Sequence, residues 1–318
     1  MAVDNDPPLE RVVAEVVRRM LADSGAEPAG KPRRRRDDAP VRRGSTAWRE
    51  RLTTPESAQD VFSSDPNPRR SPLPGLQRLA NAEALEPLTQ ATPARLGIGR
   101  AGLRYPTQTY LTLRGDHAVA KDAVVSEPTP EFLQKLGAIE LRTKALDLET
   151  FLLQPDLGRV LDDASLARIK HEGTRNAEVQ IIFADGLSAW AADRNAALLP
   201  ALQRALTAGG FSHGKPIWVN RGRIAVADQI GVELGAKATL ICLGERPGLG
   251  TGDSLSIYLA WNPAIGQDNA EKNCISNVRP AGFSVEEAAR QTVVLLQKAR
   301  EIGKGGLAIG RETDGSAR

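Results

Sequence analysis

The sequence contains few of the residues that hold metal ions or form disulfide bonds. Its 318 residues include two cysteines, Cys242 and Cys274, and three histidines, His117, His171 and His213. Two cysteines exclude a disulfide framework or a thiolate zinc site and suit a reducing compartment such as the cytoplasm. The histidines occur at unrelated spacings, so a histidine-rich metal centre is not expected.

Long apolar runs are also lacking. No stretch approaches the roughly 18–20 consecutive apolar residues that a membrane-spanning helix needs. The first residues lack the basic flank, apolar block and small-residue cleavage site of a secretory signal. With 41% hydrophobic and 25% charged residues, the chain has an ordinary globular composition. We therefore expect a cytoplasmic protein of about two domains with no membrane contact.

The positive charge of the sequence is concentrated in one short segment. The formal net charge is +3, but residues 31–43 contain seven Lys or Arg and two Asp, a local charge of +5, which leaves −2 for the rest. A nucleic-acid-binding domain would carry its cations on a folded surface rather than in one run. We therefore predict no nucleic-acid partner and interpret the run as part of a solvated linker.

An amphipathic helix is predicted at the N-terminus, in residues 1–24. Seven apolar residues follow i, i+3, i+4, i+7 spacing and share one stripe: Leu9, Val12, Val13, Val16, Val17, Met20 and Leu21. Residues 25–74 are rich in Pro, Gly, Ser, Arg and Asp and predict a disordered basic linker. A short helix on such a linker has no core of its own. Its stripe should contact another molecule or fold back onto the body of this chain.

Two further regions follow the linker. Residues 75–172 have helical spacing at 75–91, 130–150 and 156–172 and predict a small, mainly helical subdomain. Residues 173–318 alternate strand-like segments such as AEVQIIFADG, ATLICLGE and LSIYLAW with helical ones. Because strands separated by helices need crossover connections, we predict an α/β fold with a mainly parallel, Rossmann-like sheet flanked by helices.

Two motifs have alternative interpretations. GIGRAG at 97–102 matches the dinucleotide-binding pattern, but no buried strand precedes it, and Tyr105 and Pro106 oppose a helix directly after it. A glycine-rich basic loop is the alternative. Asp116 and His117 are adjacent, as in a proton relay, although such residues more often form a surface or interface pair. The sequence shows no G-x-S-x-G, P-loop, H-E-x-x-H or C-x-x-C motif, and so no complete catalytic constellation.

The segment 240–261, LICLGERPGLGTGDSLSIYLAW, gives the strongest indication of a site. Four glycines follow an apolar strand and surround Glu245 and Arg246. Ligands of open parallel sheets lie beyond the carboxyl ends of strands, where glycines let backbone amides approach them. Glu245 could accept hydrogen bonds from a ligand, or form a surface pair with Arg246 in a structural turn. Cys274 lies in the polar segment 271–282, which we expect to be irregular; it lacks an activating neighbour, so we interpret it as a packing or contact residue.

Five long segments carry a family resemblance. They are PARLGIGRAGLRYPTQTYLTLRGDHAVAKDAV, VQIIFADGLSAWA, RIAVADQIG, GERPGLG and NCISN, and they run across most of residues 75–300. Through them the chain resembles the small (light) subunit of ethanolamine ammonia-lyase, an adenosylcobalamin-dependent enzyme. The resemblance implies cobalamin contacts at Ile224, Glu245 and Cys274. Ile224 stands where valine is expected and keeps the apolar contact.

The resemblance also implies a partner and a division of labour. In that family a large catalytic subunit binds ethanolamine, cobalamin lies between the two subunits, and the products are acetaldehyde and ammonia. The resemblance assigns large-subunit contacts to 75–172 and cobalamin contacts to 173–318. The radical chemistry belongs to the cofactor, so this chain would supply no catalytic acid, base or metal ligand. No histidine has an aspartate two positions before it, which agrees with a family that keeps the cofactor's own base on cobalt.

The predicted N-terminal helix resembles those that direct enzymes into bacterial microcompartments. Shell proteins are therefore a second expected partner, and a microcompartment is an expected location within the cytoplasm. Two other functions stay open. One is a nucleotide-dependent oxidoreductase that uses the GIGRAG loop, and the other is a non-enzymatic microcompartment adaptor.

Overall fold

The computed structural model describes residues 82–91 and 94–310. The predicted N-terminal helix, 1–24, and the predicted linker, 25–74, lie outside the described residues. Within the described ranges, no helix is both long enough and apolar enough to cross a membrane.

The described residues form alternating helices and strands. The strands are β1 (Ile139–Arg142), β2 (Val179–Ala184), β3 (Ile217–Asn220), β4 (Ala238–Gly244), β5 (Leu255–Trp261) and β6 (Lys272–Val278). The α-helices are α1 (Ala82–Ala91), α2 (Thr107–Val125), α3 (Pro130–Leu136), α4 (Leu148–Leu153), α5 (Asp163–Glu172), α6 (Ala189–Arg194), α7 (Leu198–Ala208), α8 (Val226–Leu234) and α9 (Val285–Ile302). Short 3-10 helices occupy Pro155–Arg159 and Asn269–Glu271.

The six strands join one sheet in the order β1-β3-β2-β4-β5-β6. The first four are parallel, whereas β5 pairs antiparallel with β4, and β6 pairs antiparallel with β5. The predicted α/β class is confirmed, and three of the five strand pairings are parallel, but the sheet is mixed, so a Rossmann-like parallel sheet is not confirmed. The reason lies in residues 245–254, which contain no helix and are too few for a crossover of a dozen or more residues. The chain therefore returns beside β4 in the opposite direction.

Helices cover both faces of the parallel half of the sheet. Along β2, Val179, Ile181 and Phe183 point to one face, and Ile182 and Ala184 point to the other. The first face packs against α3, α6, α7 and α9, and the second packs against α5 and α8. This two-sided burial explains why β2 is nearly all apolar. With both faces covered, a ligand reaches this half of the sheet at the strand ends.

Two local predictions are wrong, for reasons visible in the structure. The helix predicted across 130–150 ends at Leu136, because Gly137 adopts a left-handed conformation with φ of 56° that caps it. The next residues form β1, whose side chains alternate between buried and exposed. The polar segment 271–282 is not irregular, because it contains β6. As an edge strand, β6 keeps polar side chains at its exposed positions.

The sheet combines both regions that the sequence separated at residue 172. β1 comes from 75–172 and pairs in parallel with β3 from 173–318, with Ile139 opposite Ile217. The two regions therefore share one sheet. Their separate assignments, large-subunit contacts for the first and cobalamin contacts for the second, stay predictions.

A buried ion pair joins α8 to the beginning of β6. Lys272 Nζ lies 2.7 Å from Asp228 Oδ2, and the two side chains are 2% and 1% exposed. Lys272 also donates a hydrogen bond to the Gln267 carbonyl at 3.2 Å. The pair therefore holds the edge strand β6 against helix α8, which packs on one face of the sheet.

Candidate functional site

A cavity of about 970 Å³ lies at the carboxyl ends of β2 and β4 and extends over β5 and β6. Its walls come from the 3-10 helix Pro155–Arg159, the loop between β3 and α8, the residues after β4, and the loop between β5 and β6. The cavity is partly open to solvent. This edge of an open α/β sheet is where such folds bind their ligands.

The cavity brings together the three residues for which the sequence resemblance implied a cofactor contact, Ile224, Glu245 and Cys274. Ile224 lies in the loop between β3 and α8, half-buried against the core. Glu245 directly follows β4, and Cys274 lies on β6. The mixed sheet explains their meeting, because β6 lies one strand beyond β4, across β5, and its carboxyl end is at the same edge as that of β4. That these residues contact cobalamin stays a prediction.

Glu245 accepts hydrogen bonds from three groups of the chain itself. Ser254 Oγ donates to Oε2 at 2.7 Å, while Ser256 Oγ and the Asn277 backbone N–H donate to Oε1 at 2.5 and 2.9 Å. Burial raises the pKa of Glu245, but these hydrogen bonds and the positive charge of Arg279 outweigh it and hold the pKa below its usual value. A carboxylate has about four acceptor positions. Glu245 is therefore ionised and keeps room for one ligand donor.

Cys274 and Tyr258 are paired across β5 and β6 and both line the cavity. Partial burial raises the pKa of the Cys274 thiol, and the Glu245 carboxylate adds to this effect. Hydrogen bonds with Ser256 and Tyr258 lower the pKa of the thiol by less. Burial, with a contribution from Cys274, raises the pKa of Tyr258 to about 12. Both groups are protonated at neutral pH, so Cys274 offers a contact surface and not a thiolate nucleophile.

Asp185, at the end of β2, holds the loop that carries Ile224. Its carboxylate accepts the backbone N–H groups of Arg221 and Gly222 at 2.8 and 3.1 Å. Burial raises the pKa of Asp185 to about 6, against the opposing effect of these hydrogen bonds. The Asp185 side chain thus fixes one wall of the cavity, although burial destabilises its charged form.

Two polar atoms in the cavity walls are buried without a hydrogen-bond partner among the described residues. They are Nε of Arg223, a donor, and Oε1 of Gln267, an acceptor. Both atoms expose almost no surface, so neither faces the open cavity, and their missing partners do not by themselves indicate a ligand. Sequence reasoning missed both residues. Arg223 follows β3, so the rule that ligands lie beyond strand ends could have found it, whereas the loop position of Gln267 gives no signal.

The remaining sequence motifs form no site of their own. Among the described residues no strand leads into GIGRAG, and α2 begins only at Thr107, after Pro106. The strand–turn–helix arrangement of a dinucleotide site is therefore missing. Asp116 is buried and pairs with Arg95, whereas His117 is exposed, so they form no relay. Nowhere in 82–91 and 94–310 do three or more potential metal ligands cluster.

The mixed sheet and its cavity define the class of the molecule, an α/β protein with a cavity at the carboxyl edge of its parallel strands. Sequence comparison gives the family within this class. Residues 82–309 match the family described as ethanolamine ammonia-lyase light chain. The chain belongs to this family, which confirms the resemblance that the five segments carry.

Three relatives show how far the similarity extends. The chain is 43% identical over 224 residues to the ethanolamine ammonia-lyase small subunit of Azotobacter vinelandii, covering 67% of this chain and 82% of the relative. It is 37% identical over 232 residues to that of Fusobacterium nucleatum, covering 73% and 79%. It is 36% identical over 228 residues to that of Clostridium tetani, covering 71% and 77%. The similarity thus covers most of each chain.

Proposed function

We propose that this chain is the small subunit of an adenosylcobalamin-dependent ethanolamine ammonia-lyase. Its cavity would form part of the cobalamin site, at the interface with a large catalytic subunit. One observation carries the proposal: Ile224, Glu245 and Cys274, from separate segments, line one cavity. The substrate and the partner follow from the relatives, each named as the small subunit of ethanolamine ammonia-lyase.

The chemistry of the cavity fits a corrinoid. Cobalamin presents amide side chains, an apolar ring surface and a phosphodiester. The remaining acceptor position of Glu245 suits one of the amide donors. Ile224 and the ring of Tyr258 offer apolar surface. Because the cavity is partly open, a second subunit could cover the part of the ligand that this chain leaves exposed.

In this assignment the chain binds and orients rather than reacts. When bound, adenosylcobalamin supplies the radical chemistry that turns ethanolamine into acetaldehyde and ammonia. Glu245, kept ionised by its three hydrogen bonds, orients an amide donor. The protonated Cys274 and Tyr258 side chains close the β5–β6 wall and exclude water from it.

The test is cobalamin binding by the chain reconstituted with its large subunit. Glu245→Ala should weaken binding about tenfold or more, because the variant loses a charged acceptor and leaves Ser254 and Ser256 without their partner. Binding is measured by equilibrium titration of the cobalamin absorption spectrum, and lyase activity is measured in parallel.

Glu178→Ala is the matched control. Glu178 also accepts hydrogen bonds from a backbone N–H and a hydroxyl, both of Ser212, and its pKa is also lowered. However, Glu178 directly precedes β2, so it lies at the amino end of that strand, whereas the cavity is at the carboxyl end. It should bind cobalamin like the wild type. A Glu245→Ala variant that assembles and binds cobalamin normally would contradict the assignment. Tight stoichiometric binding of NAD by the isolated chain would instead favour the oxidoreductase.

We also propose a cytoplasmic location inside a bacterial microcompartment, directed by residues 1–24. The support is the apolar stripe of the sequence from Leu9 to Leu21, which would bind shell proteins. Deleting residues 1–24 should abolish co-localisation with the shell and leave lyase activity of the reconstituted enzyme intact. Unchanged co-localisation would remove this part of the proposal. Shell co-localisation of the full chain without cobalamin binding or lyase activity in the presence of its large subunit would favour the adaptor.

A further inference from the structure

Three arginines from separate segments line the cavity. Arg159 ends the 3-10 helix Pro155–Arg159, Arg223 lies between β3 and α8, and Arg246 follows β4 by two positions. Burial and the positive charges of Arg159 and Arg246 lower the pKa of Arg223, so each of these two guanidinium groups lies close enough to Arg223 to repel it. A cavity lined by charges of one sign concentrates anions from solution.

The position of Arg223 is fixed by the chain around it. Its guanidinium stacks 4.0 Å from the ring centroid of Phe151 and donates to the Phe151 carbonyl at 2.8 Å. Its backbone N–H donates to the Gly158 carbonyl at 2.8 Å. A Cβ on Gly158 would lie 2.7 Å from Arg223 Cγ, so glycine is needed for this close approach. Arg223 is therefore held beside Arg159 with its buried Nε still unpaired.

The carboxylates that line the cavity do not balance this charge in the described structure. Glu245 is engaged by Ser254, Ser256 and Asn277, and Asp268 accepts the Ala270 backbone N–H. Neither forms an ion pair with the three arginines.

Two acidic neighbours outside the lining also leave the cluster cationic. Asp185 attracts Arg223, but its carboxylate is already bound by the backbone N–H groups of Arg221 and Gly222. Asp156 pairs with Arg159 at 3.0 Å, but that contact is solvent-exposed and adds little stability.

We propose that Arg159, Arg223 and Arg246 form a phosphate-binding subsite of the cavity. Guanidinium groups bind phosphate oxygens through paired, charge-assisted hydrogen bonds, which three arginines around one cavity could supply together. The phosphate could be the one in the nucleotide tail of cobalamin, in which case the inference rests on the proposed function, or it could be free phosphate. The two sources share the same recognition chemistry, and the experiment separates them.

The experiment compares cobinamide phosphate with cobinamide, two corrinoids that differ by the phosphate group. The reconstituted wild-type complex should prefer cobinamide phosphate at least tenfold. Arg246→Gln, at an exposed position, should fold normally and lose most of this preference. Arg223→Gln should lose it as well, and Arg223→Lys should recover only part, because lysine keeps the charge without the paired donors. Arg168→Gln, which alters an exposed pair with Glu172, is the control.

A second titration addresses free phosphate. Inorganic phosphate is added without corrinoid at constant ionic strength, and the thermal unfolding midpoint is measured. The subsite takes free phosphate if the variants keep the corrinoid preference while phosphate raises the unfolding midpoint of the wild type and not that of Arg246→Gln.

The proposal is overturned if neither the corrinoid preference nor the phosphate-induced rise in midpoint depends on these arginines. In that case, weaker association of the variants with the large subunit would assign the arginines to the interface. If no corrinoid binds the wild-type complex, the proposed function fails, while the phosphate titration still decides this inference.

Discussion

Helices α2 and α9 have similar lengths, but α2 buries few of its residues and α9 buries a broad face. α2 has 19 residues, of which only Thr109, Asp116 and Ala123 are buried, each seven positions from the next. α9 has 18 residues and buries six, at the three- and four-residue spacings of a broad helical face: Ala288, Ala289, Thr292, Val293, Leu296 and Ala299. α2 therefore contacts the rest of the chain along a narrow line, whereas α9 is part of the core.

The contrast assigns different tasks to the two regions. α9 and the sheet beneath it stabilise the chain and shape the cavity. On α2, Tyr110, Leu111 and Val125 are 54%, 57% and 58% exposed. Apolar side chains at such positions on a helix that adds little to the core are typical of a protein interface. We therefore expect α2 to contact the large subunit, and substitutions in the two regions should separate stability from assembly.

The largest loss of stability is expected from Lys272→Met, in the sheet region. The substitution leaves the Asp228 carboxylate buried without its cation, and Asp228 Oδ1 already lacks a partner. Breaking a buried ion pair in this way costs about 3–5 kcal/mol. Urea unfolding of the isolated chain measures the free energy of unfolding.

Two variants control for this result. Lys304→Met, at an exposed position, should change the free energy of unfolding by less than about 0.5 kcal/mol. Adding Asp228→Leu to Lys272→Met should recover much of the loss, because no unpaired charge remains. A loss below about 1 kcal/mol for Lys272→Met alone would show that the pair contributes little to the sheet region.

A smaller effect, visible as a pH dependence, is expected from Asp185→Asn. The pKa of Asp185 is about 6 in the folded chain and 3.8 ordinarily, so between these values the folded state binds more protons than the unfolded state. The stability that Asp185 contributes is complete below pH 4 and is lost as the pH rises to 6, a change of up to about 3 kcal/mol. It is measured as the difference between wild type and variant in urea unfolding from pH 3.5 to 7.

Asp147→Asn supplies the opposite slope. Hydrogen bonds from the backbone and side chain of Thr150 lower the pKa of Asp147. Its contribution is therefore present above its ordinary pKa and is lost as the pH falls through its lowered pKa. If the two difference curves had the same sign, the assignment of a raised pKa to Asp185 would be wrong.

The smallest effect on stability is expected from Leu111→Ser on α2. Because Leu111 is mostly exposed, the free energy of unfolding of the isolated chain should change by less than about 0.5 kcal/mol. Association with the large subunit should weaken about tenfold, measured by titration of one subunit with the other. Leu307→Ser, at a residue 63% exposed outside α2, should affect neither quantity. A clear loss of stability in the isolated chain would mean that α2 is covered by this chain instead.

The sequence predicts those features that depend on neighbouring residues. The apolar runs of β2 and β4 and the periodic pattern of α9 identify these elements, and the position of Glu245 after a strand marks it as a site residue. The strands β1 and β6 escape prediction because β1 is short and follows a helix closed by Gly137, while β6 is a polar edge strand. The direction of β5 is set by the connection before it rather than by its own residues.

Features that depend on distant contacts have no such local pattern. Lys272 and Asp228 are 44 positions apart, and neither position suggests a buried ion pair. The Arg223 side chain is defined by Phe151 and Gly158 from a different segment. Sequence reasoning therefore found Glu245 and its neighbour Arg246 but missed Arg159 and Arg223, whose place in the cavity depends on how the chain folds around them.

The partly open cavity has a consequence for the assembled enzyme. If cobalamin is held between this chain and a large subunit, each chain supplies only part of the binding free energy, and binding of cofactor and subunit becomes thermodynamically linked. Cofactor affinity would rise with subunit concentration, and the cofactor would in turn tighten the complex by the same factor. A small subunit without its partner would then bind the cofactor only weakly.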